Sequence, residues 1–358
     1  MHEITVHVDN PYNVTIGTNL FPQLIANLPK SASKIAIIHA PVMKNLALDL
    51  QSLIQHPSIL IELPDAESAK TYAALEMCWD ALGSAGFTRG DAVISLGGGA
   101  TTDVAGFVAA SWLRGIHVVH VPTTLLAMVD AAVGGKTGIN TAAGKNLVGA
   151  FYHPHSVWCD ISVLKTVPYE DLRAGFGEII KCGFIADPSI LIDIENAGAD
   201  VVSPEHVLLP SLIQRAISVK AQVVAADFTE SQVGGLGREI LNYGHTFGHA
   251  IEKCENYAWR HGDAISVGMI FVAELAVNAG VMNRDLADRH RAVLDQVGLP
   301  TRYVGDFSAL RAAMAIDKKS RGSQLRFIGL ADLAQPVVLA SPEEQWLADA
   351  YSVVSQEV

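Results

Sequence analysis

The sequence predicts two folds in series: an α/β, Rossmann-like domain over residues 1–165, then an all-α domain over residues 166–358. Three observations carry this expectation. Short apolar runs of strand type alternate with helical stretches through the first half, as in an open parallel sheet with helices on both faces. One run, Asp91–Leu96, passes directly into Gly97-Gly98-Gly99, a strand–turn–helix arrangement that brings backbone N–H groups close to a phosphate. After Pro168 the pattern becomes helix after helix, which places a boundary near 160–168.

In chain order, Ile4–Val8 and Asn13–Ile16 alternate as strands about an Asn10-Pro11 turn. Lys34–His39 reads as a buried strand and is followed by a helical stretch near Val42–Gln55. Ser58–Leu63 is a short strand, Pro64-Asp65 opens a helix over Glu67–Leu82, and Val118–Val121 is a strand ended by Pro122. Later helices are expected near Tyr169–Ala186, Pro204–Ala226, Arg238–Glu252, Ala264–Ala279, Arg284–Val297 and Phe307–Asp317. Short strands near Leu325–Leu330 and Val337–Leu339 interrupt them.

The 358 residues are enough for two cores, half of them are hydrophobic and only 17% are charged, which is not the composition of a disordered chain. Apolar runs such as Met269–Ala273 are far too short to span a membrane, and Met-His-Glu-Ile-Thr-Val has no export pattern, so a cytoplasmic protein is expected. Cys78, Cys159, Cys182 and Cys254 form no CxxC and read as thiols in a reducing compartment. A net charge of -12 argues against a nucleic-acid partner. Yet Arg114, Lys136, Lys145, Lys181, Lys220 and Arg238 sit in glycine-rich or apolar surroundings. Singly, each reads as a surface residue with its stem on the core; six together point to a pocket for a small anion.

Gly97–Gly99 alone also suits a plain tight turn, and Asp103 either holds a ribose hydroxyl or caps the helix. Lys136 follows Gly134-Gly135 and Lys145 follows Gly144, but Asp130 stands where a Walker loop needs glycine, which excludes an NTPase of that type. Read as a helix, Arg238–Glu252 puts Arg238, Asn242, His245 and His249 on one face, with His261 following before an expected break at Gly262. Two helical histidines and a third after a turn form a plausible zinc set, although histidine pairs four apart also simply pack or cap. Glu178 lies three before Lys181, as an ion pair worth ~0.3 kcal/mol or as a carboxylate ligand beside two histidines.

As an ordered set these segments resemble the 3-dehydroquinate synthase family. The resemblance runs through Gly97-Gly98-Gly99 with Asp103, Arg114-Gly115, Pro122-Thr123-Thr124-Leu125-Leu126, Asp130 with Gly134-Gly135-Lys136, and Gly144-Lys145-Asn146. It continues through Glu178-x-x-Lys181, Lys220-Ala221, Arg238-x-x-Leu241-Asn242-x-Gly244-His245-Thr246-Phe247-Gly248-His249-Ala250, His261-Gly262 and Asp317-Lys318-Lys319. The resemblance implies an N-terminal nucleotide-binding domain, a C-terminal helical domain and a site in the cleft between. It implies conversion of 3-deoxy-D-arabino-heptulosonate 7-phosphate to 3-dehydroquinate and phosphate, with NAD and one divalent metal, zinc or cobalt.

Residue by residue, the resemblance makes Glu178, His245 and His261 the metal ligands. Asp65, Glu67 and Lys70 hold the adenosine ribose, and Gly97, Gly98, Gly99, Ala100, Thr101, Thr102 and Asp103 the pyrophosphate. Thr123, Thr124, Lys136, Lys145, Leu164, Lys165 and Thr166 line the rest of the NAD path. Asp130, Lys136, Asn146, Lys181, Lys220, Arg238, Asn242, His249 and Lys318 face the sugar phosphate, with Lys319 as the neighbouring candidate for the phosphate. Arg114 matches the arginine that reaches a partner's site, so a homodimer is implied. The chain departs from the family over Asp227–Gly237, which is longer than the usual Asp-Glu-x-Glu-x-Gly stretch. A sister sugar-phosphate cyclase, a metal-dependent polyol dehydrogenase and an NAD-binding regulator are the competing readings.

Overall fold

A computed structural model describes residues 1–230, 236–317 and 325–356. The chain folds as two compact units, Met1–Val167 with Lys220–Thr229, and Pro168–Val219 with Glu230–Val358. The segment 220–229 thus belongs with the first unit although a long stretch of helical sequence precedes it.

The strands of the first unit are β1 His2–Val6, β2 Tyr12–Gly17, β3 Ile35–His39, β4 Ser58–Glu62, β5 Ala92–Gly97, β6 His117–Pro122, β7 Lys136–Thr141, β8 Gly144–Phe151 and β9 Ser156–Asp160. Seven of them form one sheet in the order β1-β2-β9-β6-β5-β3-β4, and β7-β8 is a separate hairpin. Only β1–β2 is antiparallel within the large sheet. Its helices are α1 Phe21–Ala26, α2 Lys44–Leu53, α3 Tyr72–Ser84 and α4 Gly99–Ser111. The two-residue period of β3 explains the layering. Ala36 and Ile38 pack with Leu75, Val104 and Val108 on one face, while Ile35 and Ile37 pack with Leu24, Ala47 and Leu50 on the other.

One anchor of this sheet has a measurable consequence. Asp91, buried just before β5, accepts from the Ser33 amide (3.0 Å), the Ser33 hydroxyl (2.8 Å) and the Lys34 amide (2.8 Å). It also accepts from the Thr88 amide (2.6 Å) and hydroxyl (2.9 Å). Burial alone would raise its pKa, but the donors from Thr88 and Ser33 hold it at about 2. Because the folded value is depressed, this stabilisation is present above the unfolded carboxylate value of about 4 and fades as pH falls towards 2. Asp91→Asn is expected to cost about 2 kcal/mol at neutral pH, with the gap from wild type closing in acid. Urea midpoints at neutral and acidic pH check it; equal midpoints at pH 7 would remove the anchor.

The second unit begins with α5 Tyr169–Ile185, α6 Pro188–Ala197 and α7 Leu209–Ala226, whose last turns enter the first unit. It continues with α8 His245–Cys254, α9 His261–Asn278, α10 Arg284–Gln296, α11 Phe307–Asp317 and α12 Glu344–Val354, plus the hairpin β10 Arg326–Asp332 and β11 Gln335–Ala340. Helix α9 is buried from Gly262 to Ala276, as expected of a helix apolar all round, and α5, α8, α10 and α12 pack on it.

Several elements differ from the sequence reading. The expected helix over Glu67–Leu82 is a 3-10 turn, Ala66–Ala69, followed by α3, because Thr71 is extended and its side chain caps Ala74 N at 3.2 Å. Strands β7, β8 and β9 and helices α1, α6 and α12 were not anticipated. The hairpin is too rich in glycine to alternate clearly, and α6 is short and announced chiefly by Asp187, whose side chain accepts from Ser189 N. The expected continuous helix Arg238–Glu252 is also broken, with consequences for the site.

Candidate functional site

Arg238 and Asn242 lie in a 3-10 turn, Gly237–Asn242, and α8 starts only at His245. Gly244 between them has φ +78, a left-handed conformation, and a Cβ there would fall 2.9 Å from Met269 N in α9. The close passage over α9 forces the break, so the four residues do not share one helical face. His245 and His249 do share α8, with ring centroids 5.3 Å apart. Gly262 is not a break either: His261 opens α9, and Gly262 follows inside the helix. A Cβ on Gly262 would lie 1.7 Å from the Ala174 carbonyl oxygen in α5. Only glycine permits that crossing, and Ala174 is one turn from Glu178.

The crossing assembles a centre. Glu178 Oε1 is buried and accepts no hydrogen bond among the described residues, and it faces His245 Nε2 at 3.5 Å and His261 Nε2 at 3.6 Å. These three donor atoms lie within 4.8 Å of one another, which fits a cation held by two imidazoles and a carboxylate. The other ring nitrogens are occupied. Nδ1–H of His245 donates to the Tyr243 carbonyl at 3.1 Å, and Nδ1–H of His261 donates to Glu252 Oε2 at 3.2 Å. Such bonds fix the tautomer that leaves Nε2 as the ligand atom.

Burial alone would raise Glu178, yet the Lys181 ammonium hydrogen-bonded to its Oε2, with both imidazoles, holds it well below the carboxylate range. Burial, aided by Lys181, pushes His245 down to the neutral form a metal needs. Burial would also lower His261, but the neighbouring Glu178 and Glu252 carboxylates raise it.

Glu252 was missed by the sequence reading. It is three residues from His249 and seven from His245, so the helical face that singled out the histidines also presents this carboxylate. His249, Glu252 and His261 form a second cluster of possible ligands, but Glu252 holds the outer nitrogen of His261, which makes it a support of the first centre. His249 is exposed, its ring 5.9 Å from that of His261.

In the first unit β5 ends in the glycine turn, and Gly98 caps α4. Thr102 N makes the first helical bond, to Gly98 O at 3.1 Å, so the amides of Gly99, Ala100 and Thr101 have no intrahelical acceptor and suit an anion. Gly97 O accepts from Thr123 N at 2.9 Å, and a Cβ on Gly98 would meet Thr124 at 3.4 Å, so the turn and these threonines pack together. Buried Lys70 donates to Asp103 Oδ2 at 2.5 Å and to Asn146 Oδ1. Burial pushes Asp103 up against the pull of Lys70. Glu67 accepts from Asn140 at 2.7 Å and lies 3.6 Å from Lys145 Nζ, so the Asp65–Lys70 segment, α4 and the β7–β8 hairpin meet.

Lys220 Nζ donates to the Asp130 carbonyl and carboxylate, and exposed Lys136 opens β7 after Gly135. Leu164, Lys165 and Thr166 form a 3-10 turn in which Leu164 is buried. Arg114 is exposed with φ +66, beside Leu113 at φ +49. In the second unit, Arg238 and Lys181 are buried, and Asn242 Nδ2 donates to Glu230 Oε1 at 3.3 Å. Lys318 and Lys319 lie outside the described residues, as do 231–235 of the longer loop.

A mostly parallel α/β unit whose glycine turn suits an anion, joined to a helical unit whose Glu178, His245 and His261 could hold a metal, defines the class of two-unit protein to which the chain is to be compared. Residues 60–174 match the family described as 3-dehydroquinate synthase N-terminal, and 175–320 that described as 3-dehydroquinate synthase C-terminal. The 3-dehydroquinate synthase of Rhodococcus erythropolis is 51% identical over 358 aligned residues, covering 99% of this chain and 96% of the relative. That of Rhodococcus opacus is also 51% identical, covering 99% and 95%. Among solved structures, a 2-deoxy-scyllo-inosose synthase complexed with carbaglucose-6-phosphate, NAD+ and Co2+ superposes with a TM-score of 0.88 at 26% identity, over 100% of both chains. The chain belongs to the 3-dehydroquinate synthase family.

Proposed function

We propose that this chain converts 3-deoxy-D-arabino-heptulosonate 7-phosphate to 3-dehydroquinate and phosphate, a lyase step of aromatic amino acid biosynthesis through chorismate. The observation that carries it is the 51% identity to 3-dehydroquinate synthases along nearly the whole chain. NAD and one divalent metal, zinc or cobalt, serve as cofactors; when bound, NAD supplies a hydride acceptor that is regenerated in each turnover, and the metal a Lewis acid. Glu178, His245 and His261 would hold the metal, and the glycine turn with the first amides of α4 would hold the NAD pyrophosphate, with Asp65, Glu67 and Lys70 at its ribose.

Lys136, Lys181, Lys220, Arg238 and His249 face the sugar phosphate as donors, with Lys318 or Lys319 as a further candidate at its phosphate. Charge-assisted bonds from these groups hold the dianion and stabilise the charge that grows as phosphate leaves. Asp130 is oriented by Lys220, and Asn146, whose Oδ1 accepts from Lys70, keeps its Nδ2 as a donor for a sugar hydroxyl.

Arg114 reaches the site of a second copy in a homodimer. The left-handed conformations at Leu113 and Arg114 support this, since such strain gathers where a residue must be displayed. The apolar, exposed Leu147, Val148 and Phe151 of β8 offer a surface for that copy. Mixing inactive Arg114→Ala and Lys136→Ala chains should restore part of the activity if each site draws on both; no recovery would leave Arg114 in its own site. Among the described residues no helix is long and apolar enough to cross a membrane. A cytoplasmic location accords with four cysteines outside any disulfide.

A sister cyclase shares the fold, but 26% identity to 2-deoxy-scyllo-inosose synthase against 51% to dehydroquinate synthases favours dehydroquinate. With the heptulosonate phosphate, NAD and zinc, phosphate and dehydroquinate are expected in equal amounts with no growth of NADH. Sustained NADH accumulation, or turnover only of sedoheptulose 7-phosphate or glucose 6-phosphate, would overturn the proposal.

A further inference from the structure

Phe228 lies just beyond α7, in the stretch where this chain departs from the family's usual Asp-Glu sequence. Its ring stacks on His153 with centroids 3.9 Å apart and planes 24° apart, and it leans on Phe151 at 5.6 Å. Gly135 has φ +66, and a Cβ built there would fall 2.8 Å from Phe228 Cζ and 2.9 Å from the Tyr152 carbonyl oxygen. The ring therefore lies directly on the backbone that precedes Lys136. Across the β7–β8 ladder, Lys136 is paired with Phe151. Directly opposite residues have side chains close enough for a lysine stem to pack on its neighbour. Phe228 thus touches the residue before Lys136 and the residue opposite it.

The same segment grips this loop at its other end. Lys220 holds Asp130 through both its carbonyl and its carboxylate. Between the two grips, Gly134 N donates to Tyr12 Oη at 3.0 Å and Gly135 O accepts from Tyr152 N at 2.7 Å. Two successive glycines with positive φ, Gly134 at +108 and Gly135 at +66, are otherwise the most freely rotating part of the loop.

We propose that Phe228 is a positioning residue for Lys136: it clamps the diglycine turn and so fixes the ammonium that receives the substrate phosphate. The proposal rests on the reading of Lys136 as a phosphate contact. A ring that merely fills a hole would contribute to stability alone, so the test reads phosphate binding and not only melting. Inorganic phosphate is titrated calorimetrically into zinc- and NAD-loaded wild type, Phe228→Ala, Phe228→Leu, Phe228→Tyr, Lys136→Ala and the Phe228→Ala/Lys136→Ala double variant.

Phe228→Ala is expected to weaken phosphate about tenfold or more, the scale on which small misplacements act. Phe228→Tyr should restore wild-type binding, and Phe228→Leu should fall between, which keeps a readout if the alanine variant does not fold. In the Lys136→Ala background, Phe228→Ala should cost almost nothing more, because coupled residues do not add. Wild-type phosphate affinity in Phe228→Ala, or an equal further loss in the double variant, would overturn the proposal. If Lys136→Ala itself binds phosphate normally, the underlying reading of Lys136 fails, and that result is distinct from a failure of Phe228 alone.

Discussion

Lys136→Ala is expected to lose about 2–4 kcal/mol of transition-state stabilisation, roughly thirtyfold to a thousandfold in kcat, while unfolding at nearly the wild-type midpoint. The lysine opens β7 and is itself exposed, and the hairpin register from Lys136–Phe151 to Ile139–Val148 is carried by the backbone, so it survives removal of the side chain. Its surroundings are nevertheless elaborately held: Gly134 and Gly135 adopt conformations that a side chain would strain, Tyr12 and Tyr152 bond that turn, and Lys220 pins Asp130. A surface lysine kept only for solubility needs none of this. Steady-state rates and urea midpoints of the purified variant decide the matter. A kcat within about threefold of wild type would return Lys136 to the surface.

What was legible in the sequence follows from what short-range patterns encode. Runs such as Ile35–His39 and Ala92–Gly97 are mostly apolar, and buried at every position, because both faces of a parallel sheet are covered, and the glycine turn ends the strand that leads into α4. The helix from Arg238 to Glu252 was misread because periodicity continues straight through Gly244, whose left-handed φ is imposed by the passage over Met269, a contact remote in sequence. His261 was misplaced for the converse reason: Gly262 looks like a helix breaker but is there to let α9 touch Ala174. Lys220 and Phe228 belong to the first unit, and no local pattern announces that the last turns of a long apolar helix leave one unit for the other. The support of His261 by Glu252 likewise depends on the crossing of two helices, although the carboxylate's place on α8 could have been read.

The two histidines of α8 are expected to behave differently. His245→Ala should lose both bound metal and activity, because Nε2 of His245 is one of the three atoms gathered around the orphaned Glu178 Oε1, with its Nδ1 committed to the Tyr243 carbonyl. Two remaining ligands cannot hold zinc as three do. His249→Ala should keep one metal per chain and turn over slowly with weakened phosphate binding, since His249 is exposed and Glu178, His245 and His261 complete the set without it. Glu252→Gln tests the layer behind: orienting partners of ligand histidines are worth roughly 10- to 100-fold in metal affinity, so the variant should lose zinc to a chelator at lower chelator concentration than wild type. Metal content after dialysis, measured beside activity, separates the three. Loss of metal from His249→Ala with retention in His245→Ala would show that the centre is the outer cluster of His249, Glu252 and His261 instead.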